Sequence, residues 1–473
     1  MLTHWIGGKA VPSAGGDGIE VLDPATGRII EEIPRGTAED VDQAVAAARD
    51  AAPAWAALTP PQRRAALLQA AGALRAERDR FARLLVEENG KPLREALAEV
   101  DAAAGVTASY AELAVHARSG AQQGGTGELN FQYRQPRGVA ACIVPWNFPV
   151  AVGVENLAPN LAVGNAVVIK PSEKTPLATR ELVERAFGHL PPGTCNVLLG
   201  DGPSAGDHLI SHAQVDVVVF VGSERTGRHI AEVCGRDLRK AVVELGGKDA
   251  FIVDDTVDLA QAVALAKVAK YTASGQICTS PERFFVTGRV FEPFVEELTA
   301  ASRAMRLGPG ADEGTDMGPL IDQTQRARVT EHVATARSAG ATVHCGGEPV
   351  DGPGFFFPPT VITNADTDLP VMTDETFGPV APVVRVADFD EAIERANDSR
   401  FGLSAMVCTE SAPRAMLALE RLRAGMIKIN TNRGKAPGAT SEPFNASGLG
   451  HGYGVEFLHE LSREKSVHWR SHL

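Results

Sequence analysis

One cysteine has the sequence context of a nucleophile. Cys278 follows Ser274-Gly275-Gln276, a flexible turn whose backbone N–H groups could approach a bound oxygen. A thiolate is far more reactive than a thiol, so such a site must favour the anion. The local sequence fits a small buried hydrophobic residue equally well. The other five cysteines lie in apolar, strand-like or helical surroundings and are predicted to be structural: Cys142, Cys195, Cys234, Cys345 and Cys408.

A carboxylate and a side-chain amide follow two predicted strands. Glu244 lies between the strand Ala241-Val242-Val243 and a glycine pair, at a strand end where α/β sheets bind ligands. It fits a general base or an ion pair with Lys248, and the local sequence favours the ion pair. Asn147 precedes a predicted helix, where its amide fits either a donor to a developing oxyanion or a helix N-cap.

Two turns could hold a phosphate or a ribose. The segment Gly222 to Gly227 follows a strand and opens a helix, so its N–H groups and the Ser223 hydroxyl suit a pyrophosphate. As a bare pattern it is weak, because it is not GxGxxG. Lys170-Pro171-Ser172-Glu173 also follows a strand and offers an ammonium donor and a carboxylate acceptor for ribose hydroxyls. An ordinary surface turn is the alternative.

Alternating strands and helices must position these residues. Residues 36–120 are Ala-rich with apolar residues at helical spacing, which predicts two or three long helices. One begins at a Thr37/Asp40 capping box and one at Pro60-Pro61. Short apolar runs separated by helical segments then predict two parallel sheets covered on both faces, which meet near residues 245–260. The first set of strands is Val139–Val144, Ala166–Ile169, Asn196–Leu199, Val215–Val221 and Ala241–Val243. The second set is Phe284–Val286, Val361–Ile362, Ala381–Val386, Ser404–Val407 and Met426–Ile429.

Two extended pieces fit neither sheet. Leu129–Arg134 and Ser462–Leu473 are each predicted to be a strand that adds to a sheet elsewhere. Such pieces often mediate oligomerisation.

Composition excludes several classes of protein. The 473 residues include 46 Lys and Arg against 59 Asp and Glu, and the net charge of −13 disfavours nucleic acid and anionic membrane surfaces as partners. The six cysteines include no CxxC pair, which argues against a disulfide scaffold and a structural zinc site. The thiols are therefore expected to be reduced, and the expected location is cytoplasmic. No secretory signal, membrane span or metal site is predicted.

Taken together, the motifs resemble the aldehyde dehydrogenase superfamily in order over nearly the whole chain. Each is weak alone, but their order is a specific signal. The segments are Pro145-Trp146-Asn147-Phe148-Pro149, Gly164-Asn165, Lys170-Pro171-Ser172-Glu173, Phe220-Val221-Gly222-Ser223 with Gly227, Glu244-Leu245-Gly246-Gly247-Lys248, Gly275-Gln276-Ile277-Cys278, Glu375-Thr376-Phe377-Gly378-Pro379 and Phe401-Gly402-Leu403-Ser404.

The resemblance implies a mechanism. The Cys278 thiolate would attack an aldehyde, and the Asn147 amide and the Cys278 N–H would hold the oxyanion. After hydride transfer to NAD, Glu244 would activate water to hydrolyse the thioester. The resemblance places the cofactor on Lys170, Glu173, Gly222, Ser223, Trp146, Glu375 and Phe377. Because Glu173 would repel a 2′-phosphate, NAD is favoured, with NADP less favoured.

The resemblance also implies a substrate pocket, with two departures from the usual family pattern. The pocket residues are Phe148, Val152, Glu155 and Phe444. Glu155 stands where relatives often carry an aromatic or basic residue, and with Asn156 it favours a cationic or hydroxylated aldehyde, a solvated rim carboxylate being the alternative. The loop Pro443 to Gly450 is about three residues shorter than the usual Pro-Phe-Gly-Gly pattern, so substrate assignments do not transfer.

The implied fold class is α/β, with a Rossmann-like cofactor domain, a catalytic α/β domain and an oligomerisation hairpin. The expected ranges are 1–115 and 136–246 for the NAD-binding domain, 247–454 for the catalytic domain, and 116–135 with 455–473 for the oligomerisation element. Strand exchange would give a homodimer or homotetramer. Two alternatives are a CoA-acylating semialdehyde dehydrogenase, against which Glu244 argues, and a non-catalytic crystallin-like member of the fold.

Overall fold

The computed structural model describes residues 1–116, 120–434, 436 and 438–471. The strands are β1 His4–Ile6, β2 Lys9–Val11, β3 Gly18–Leu22, β4 Ile29–Pro34, β5 Ala121–Gln123, β6 Glu128–Pro136, β7 Val139–Ile143, β8 Ala166–Lys170, β9 Cys195–Val197, β10 Val217–Val221, β11 Lys240–Glu244, β12 Ala250–Val253, β13 Arg283–Thr287, β14 Thr342–Cys345, β15 Thr360–Thr363, β16 Val380–Val386, β17 Ser404–Cys408, β18 Met426–Ile429, β19 Gly448–Leu449 and β20 Ser462–Arg470. The α-helices are α1 Ala38–Ala57, α2 Pro60–Ala76, α3 Arg78–Asn89, α4 Leu93–His116, α5 Pro149–Val163, α6 Pro176–Glu181, α7 Asp207–Ser211, α8 Glu224–Arg236, α9 Leu259–Tyr271, α10 Phe291–Arg303, α11 Gln323–Ser338, α12 Pro370–Thr373, α13 Phe389–Asn397, α14 Ala412–Arg421 and α15 Gly454–Glu460.

The Ala-rich region forms four helices, α1 to α4, where two or three were predicted. Both predicted starts are confirmed. The Thr37 hydroxyl accepts from the Asp40 N–H, the Asp40 carboxylate accepts from the Thr37 N–H, and α2 begins at Pro60. The additional break falls between α3 and α4, where Pro92 cannot continue a helix. None of the described helices is long and apolar enough to cross a bilayer.

The first sheet has the order β19-β11-β10-β7-β8-β9-β1-β2, and its five central strands run parallel. Each predicted strand of the first set is present within a few residues. Side chains alternate between the two faces: Ala140 and Cys142 enter one core, and Val139 and Ala141 enter the other. Burial on both faces explains why these strands are continuous apolar runs.

The second sheet has the order β14-β15-β16-β13-β12-β17-β18. All five predicted strands of the second set are present, as β13, β15, β16, β17 and β18. The sequence reasoning missed β12, which follows β11 in the chain and is paired in parallel with β13 and β17. It also missed β14, an edge strand paired antiparallel with β15.

The two extended pieces pair with each other. β20 runs antiparallel to β6 from Ser462 opposite Pro136 to Arg470 opposite Glu128, and β5 adds a third strand. This separate small sheet carries the predicted oligomerisation element, of which residues 117–119 and 472–473 lie outside the described part.

The end of the chain returns to the first sheet. β19 pairs antiparallel with β11, with Gly448 opposite Glu244. The following helix, α15, buries Phe457 and Leu458 in the core that also contains α4 and α5 residues. Residues from both ends of the sequence therefore complete this sheet.

Candidate active site

A cavity of about 190 Å³ lies at the carboxyl ends of β7, β10 and β11, and residues of the second sheet's loops close it. This is the edge at which open α/β sheets bind ligands. It brings together nine of the predicted site residues: Trp146, Asn147, Phe148, Val152, Gly222, Ser223, Cys278, Glu375 and Phe377. Larger surface cavities of about 640 and 950 Å³ lie elsewhere, and no cysteine lines either of them.

The turn before Cys278 is anchored, which corrects the expectation that it is flexible. The Ala273 N–H donates to the Glu95 carboxylate at 2.8 Å, and the Ser274 hydroxyl donates to Gly318 O at 2.8 Å. Ala273 and Ser274 both have left-handed backbone angles, which cost energy in residues with a side chain. The turn therefore holds Cys278, which is half-buried, in a fixed place at the cavity.

Gly275 is required where this turn meets the segment after Phe377. Its φ is +73°, and a Cβ at this position would lie 2.3 Å from Gly378 O. Only glycine tolerates both the backbone angle and the approach. The nucleophile turn and the Gly378 backbone are thus in direct contact.

The other five cysteines are unsuited to nucleophilic chemistry. Burial raises the thiol pKa of each: Cys142, Cys195, Cys234, Cys345 and Cys408. For Cys408 the pKa rises to about 12. Burial penalises the thiolate, so the prediction that these residues are structural is consistent with their surroundings.

Asn147 is buried, and its amide Nδ2 donates to Gln276 O at 2.9 Å, two residues before Cys278. The N-cap alternative is wrong, because α5 begins at Pro149 and its N-cap residue is Phe148. The carboxylate of Glu99 instead accepts from the N–H groups of Val150 and Ala151, at 3.0 and 3.1 Å. The Asn147 amide is therefore directed toward the nucleophile turn.

Glu244 ends β11, next to the cavity rather than in its lining. Its carboxylate packs against Gly452, where a Cβ would lie 2.1 Å from Glu244 Oε1. The alternative that the local sequence favoured for Glu244, an ion pair with Lys248, is wrong. Lys248 is buried and pairs with Glu282, with 2.7 Å between Nζ and Oε2.

The glycine pair Gly246-Gly247, which follows Glu244 and Leu245, leaves room for the carboxylate of Glu375. A Cβ on Gly246 would lie 2.5 Å from the Glu375 carboxylate oxygens, and the Gly247 N–H donates to Glu375 at 3.2 Å. Burial, with the nearby Glu282 carboxylate, raises the pKa of Glu375 to about 7. Two residues on, the Phe377 ring meets the Trp146 ring edge-on, 5.3 Å between centroids.

Two cofactor candidates, Lys170 and Glu173, lie outside the cavity lining. Lys170 is buried and donates to Pro171 O and Gly200 O at 2.9 and 2.7 Å, so it is not part of a surface turn. The Glu173 carboxylate lies 4.0 Å from Lys170 Nζ and is about one-third exposed. Ser223 is the N-cap of α8, where its hydroxyl accepts from the Thr226 N–H at 3.4 Å.

Two substrate-pocket candidates also lie outside the lining. Glu155 is half-buried one turn beyond Val152 on α5. Burial, with a smaller contribution from the Glu155 charge, raises the pKa of Tyr110. Asn147 precedes α5, so it does not share a helical face with Glu155. Asn156 donates its amide back to Val152 O at 2.8 Å, and Phe444 is exposed.

The sequence reasoning missed two cavity residues on α11, Gln325 and Arg328. They lie three residues apart and therefore on one face of the helix. Gln325 donates to the carbonyls of Thr376 and Phe377 at 2.9 and 2.8 Å. A single sequence gives little indication that these two residues belong to the site, because polar residues are common on exposed helices.

The model of the aldehyde dehydrogenase family matches residues 11–467 of the chain. The succinate-semialdehyde dehydrogenase [NADP(+)] of Escherichia coli is 36% identical over 461 residues, which cover 96% of both chains. The structure of lactaldehyde dehydrogenase from Escherichia coli superposes with a TM-score of 0.96 at 35% identity, covering 99% of each chain. Betaine aldehyde dehydrogenase from Staphylococcus aureus in complex with NAD+ superposes with a TM-score of 0.96 at 32% identity, covering 100% of this chain and 95% of the other.

Proposed function

The chain belongs to the aldehyde dehydrogenase family and oxidises an aldehyde to a carboxylic acid, and we propose that it does so with NAD through a thioester on Cys278. The observation that carries the route is the meeting of Cys278 and Asn147 at one cavity, joined through the backbone of Gln276.

In the first step the Cys278 thiolate attacks the aldehyde carbon, and the carbonyl oxygen becomes an oxyanion. One N–H of the Asn147 amide is donated to Gln276 O, which fixes the orientation of the group. We assign its second N–H, with the Cys278 backbone N–H, to the oxyanion. Donors fixed in place before reaction cost little reorganisation when the charge develops.

The residues around the cavity fit a nicotinamide dinucleotide. When bound, the dinucleotide would supply the acceptor for the hydride that the oxidation removes from the aldehyde carbon. We assign the pyrophosphate to Ser223 and Gly222 at the start of the thirteen-residue helix α8. The nicotinamide end is assigned to Trp146, Glu375 and Phe377.

The last step is hydrolysis of the thioester. Glu244 accepts a proton from water, the resulting hydroxide equivalent attacks the thioester carbon, and the carbon–sulfur bond breaks to release the acid and the Cys278 thiolate. Glu244 must turn from its contact with Gly452 toward the cavity to do this. A free acid is therefore the proposed product, where a CoA-acylating enzyme would release acyl-CoA.

NAD is preferred over NADP in this proposal. Glu173 supplies a carboxylate that accepts from a ribose 2′-OH and repels a 2′-phosphate. The neighbouring cation, Lys174, lies 2.5 Å from Asp322 and over the Trp146 ring, so its charge is already compensated. Relatives use both cofactors: the succinate-semialdehyde dehydrogenase of Escherichia coli is named for NADP(+), and the betaine aldehyde dehydrogenase of Staphylococcus aureus is in complex with NAD+.

A homodimer or homotetramer assembled through the β5-β6-β20 sheet is also part of the proposal. β20 is an edge strand nine residues long, with Trp469 61% exposed, and such an edge can pair with another chain. The proposed compartment is the cytoplasm, because all six cysteines are free thiols and Cys278 works only when reduced.

The test is a panel of aliphatic, aromatic, amino, hydroxy and ω-carboxy aldehydes, each assayed with NAD and NADP by the absorbance of the reduced cofactor. At least one aldehyde should be converted to free acid, and Cys278→Ala should abolish the reaction. Acyl-CoA as the product when CoA is present, or full activity in Cys278→Ala, would refute the route. Glu173→Gln should raise kcat/KM for NADP relative to NAD, and an unchanged ratio would refute the cofactor assignment.

A further inference from the structure

A buried carboxylate that the proposed route does not use joins the nucleophile segment to the segment beside the nicotinamide site. We propose that Glu282 is a positioning residue that holds Glu375 to Phe377 in the conformation that receives the nicotinamide end of the cofactor. The inference rests on the proposed function for the identity of the cofactor, and on the structure for the contacts.

Both oxygens of Glu282 are engaged by the Glu375–Phe377 segment. Oε2 accepts from the Thr376 N–H at 2.7 Å, and Oε1 accepts from the Phe377 N–H at 2.7 Å. Two successive backbone donors thus bind one carboxylate, which fixes the peptide plane between them. Glu282 is only 2% exposed, so these bonds are shielded from bulk water, and buried N–H groups without acceptors are costly.

The backbone that Glu282 holds is strained. Phe377 has φ = +53°, a left-handed angle that a bulky residue adopts only when its surroundings enforce it. Gln325 donates to the carbonyls of Thr376 and Phe377, while Glu282 accepts from their N–H groups. The segment is therefore clamped through both its donors and its acceptors, and Phe377 is kept against Trp146.

Lys248 supplies the counter-charge. Its Nζ lies 2.7 Å from Glu282 Oε2 and also donates to the Thr376 hydroxyl at 3.2 Å. Burial opposes ionisation of Glu282, but Lys248, Lys270 and the N–H donors outweigh it and lower its pKa to about 2. A charged carboxylate makes stronger hydrogen bonds than an amide, so the hold of Glu282 on the Thr376 and Phe377 N–H groups depends on its ionised form.

The position of Glu282 in the chain connects the Glu375–Phe377 segment to the reaction centre. It lies four residues after Cys278, and its own N–H donates to Asp249 O at 2.8 Å, beside Lys248. One side chain therefore ties together three segments, the one after Glu244, the one after Cys278 and the one around Phe377. Its effect on catalysis is through Glu375 and Phe377, which we assign to the cofactor.

The test compares Glu282→Gln and Glu282→Asp with the unchanged protein. Glu282→Asp keeps a charge beside Lys248 but is one methylene too short to hold both amides in place. Both variants should weaken NAD binding and lower kcat/KM for NAD about tenfold or more, because a reacting group displaced by a fraction of an ångström loses its alignment. Calorimetry should give an unchanged Kd for AMP, which contains only the adenosine end.

Two further measurements separate positioning from general destabilisation. The cofactor-free hydrolysis of p-nitrophenyl acetate by Cys278 should change by less than about twofold in both variants, since the turn before Cys278 is anchored by the contacts of Ala273 with Glu95 and of Ser274 with Gly318. The matched control is Asp254→Asn, which removes a fully buried carboxylate that accepts from the hydroxyls of Thr256 and Thr409 in the same half of the molecule. It should lower the unfolding midpoint and leave kcat/KM for NAD unchanged.

Three results would overturn the inference. The first is unchanged NAD binding in both variants. The second is a loss of ester hydrolysis that parallels the loss of NAD affinity. The third is normal NAD kinetics in Glu282→Asp alone, which would show that Glu282 serves only as the counter-ion of Lys248. Because NAD and AMP binding are measured without an aldehyde, the inference can fail or stand separately from the proposed oxidation.

Discussion

Replacing Gly275 with alanine should destabilise the protein and slow catalysis together. The backbone here has φ = +73°, which costs an alanine about 1 kcal/mol. The new Cβ would lie 2.3 Å from Gly378 O and 2.5 Å from its carbonyl carbon, so backbone must move. Overpacking of this kind costs about 1–3 kcal/mol, which brings the expected loss to roughly 2–4 kcal/mol.

The same movement reaches the reacting groups. The turn carries Gln276, whose carbonyl orients the Asn147 amide, and Cys278 lies two residues further on. A displacement of about 1 Å at reacting atoms can cost about a hundredfold in rate. We therefore expect kcat in Gly275→Ala to fall by about ten- to a hundredfold even in the fraction that remains folded.

The assay is urea unfolding followed by fluorescence, together with kcat at saturating substrate. The control is Gly105→Ala on the exposed face of α4, where a Cβ would meet nothing within 4 Å. This control should gain up to about 1 kcal/mol from helix propensity and keep normal kcat. A Gly275→Ala protein with the stability and kcat of the unchanged protein would show that the close contact with Gly378 is not required.

Four other predictions follow from the site and the small sheet. Asn147→Ala should lower kcat by about 10²–10³, measured at saturating substrate, and a smaller effect on kcat than on KM would argue against an oxyanion role. Glu155→Gln should lower kcat/KM for 4-aminobutanal relative to butanal and raise it for succinic semialdehyde, and unchanged ratios would make Glu155 a solvated rim residue. Because the pKa of Glu375 is raised to about 7 in the folded protein, the folded state keeps a proton that the unfolded chain loses near pH 4.5. The free energy of unfolding should therefore fall as the pH rises from about 4.5 through about 7. Glu375→Gln should make the unfolding midpoint less dependent on pH over this range. Truncation after Glu460 removes β20 and should give a monomer by light scattering, whereas an oligomer would refute assembly through that sheet.

The central strands could be predicted because their chemistry is local. β7, β8, β10 and β11 are buried on both faces along their central residues, so each contains an uninterrupted run of at least three apolar residues. The pair β3 and β4 mixes charged and apolar residues at a partly exposed position, and the sequence reasoning did not find it. Strands of this kind are specified by their partners more than by their own composition.

The site was predictable where a motif marks it and not where distant segments meet. Cys278 and Asn147 were found from local context and resemblance. The alternative that paired Glu244 with Lys248 considered only neighbours in the sequence, whereas the fold brings Glu282 to Lys248 from the segment after Cys278. Gln325 also reaches the site only through tertiary packing, so no spacing in the sequence indicates it.

The antiparallel pairing of β19 with β11 has a consequence for synthesis. Gly448 leaves the ribosome roughly two hundred residues after Glu244, and Phe457 and Leu458 follow it. Until then the nascent chain carries an open sheet edge at β11 and an incomplete core against α4 and α5. The first sheet and its core are therefore completed only after the second sheet has been synthesised, when β19 and α15 arrive.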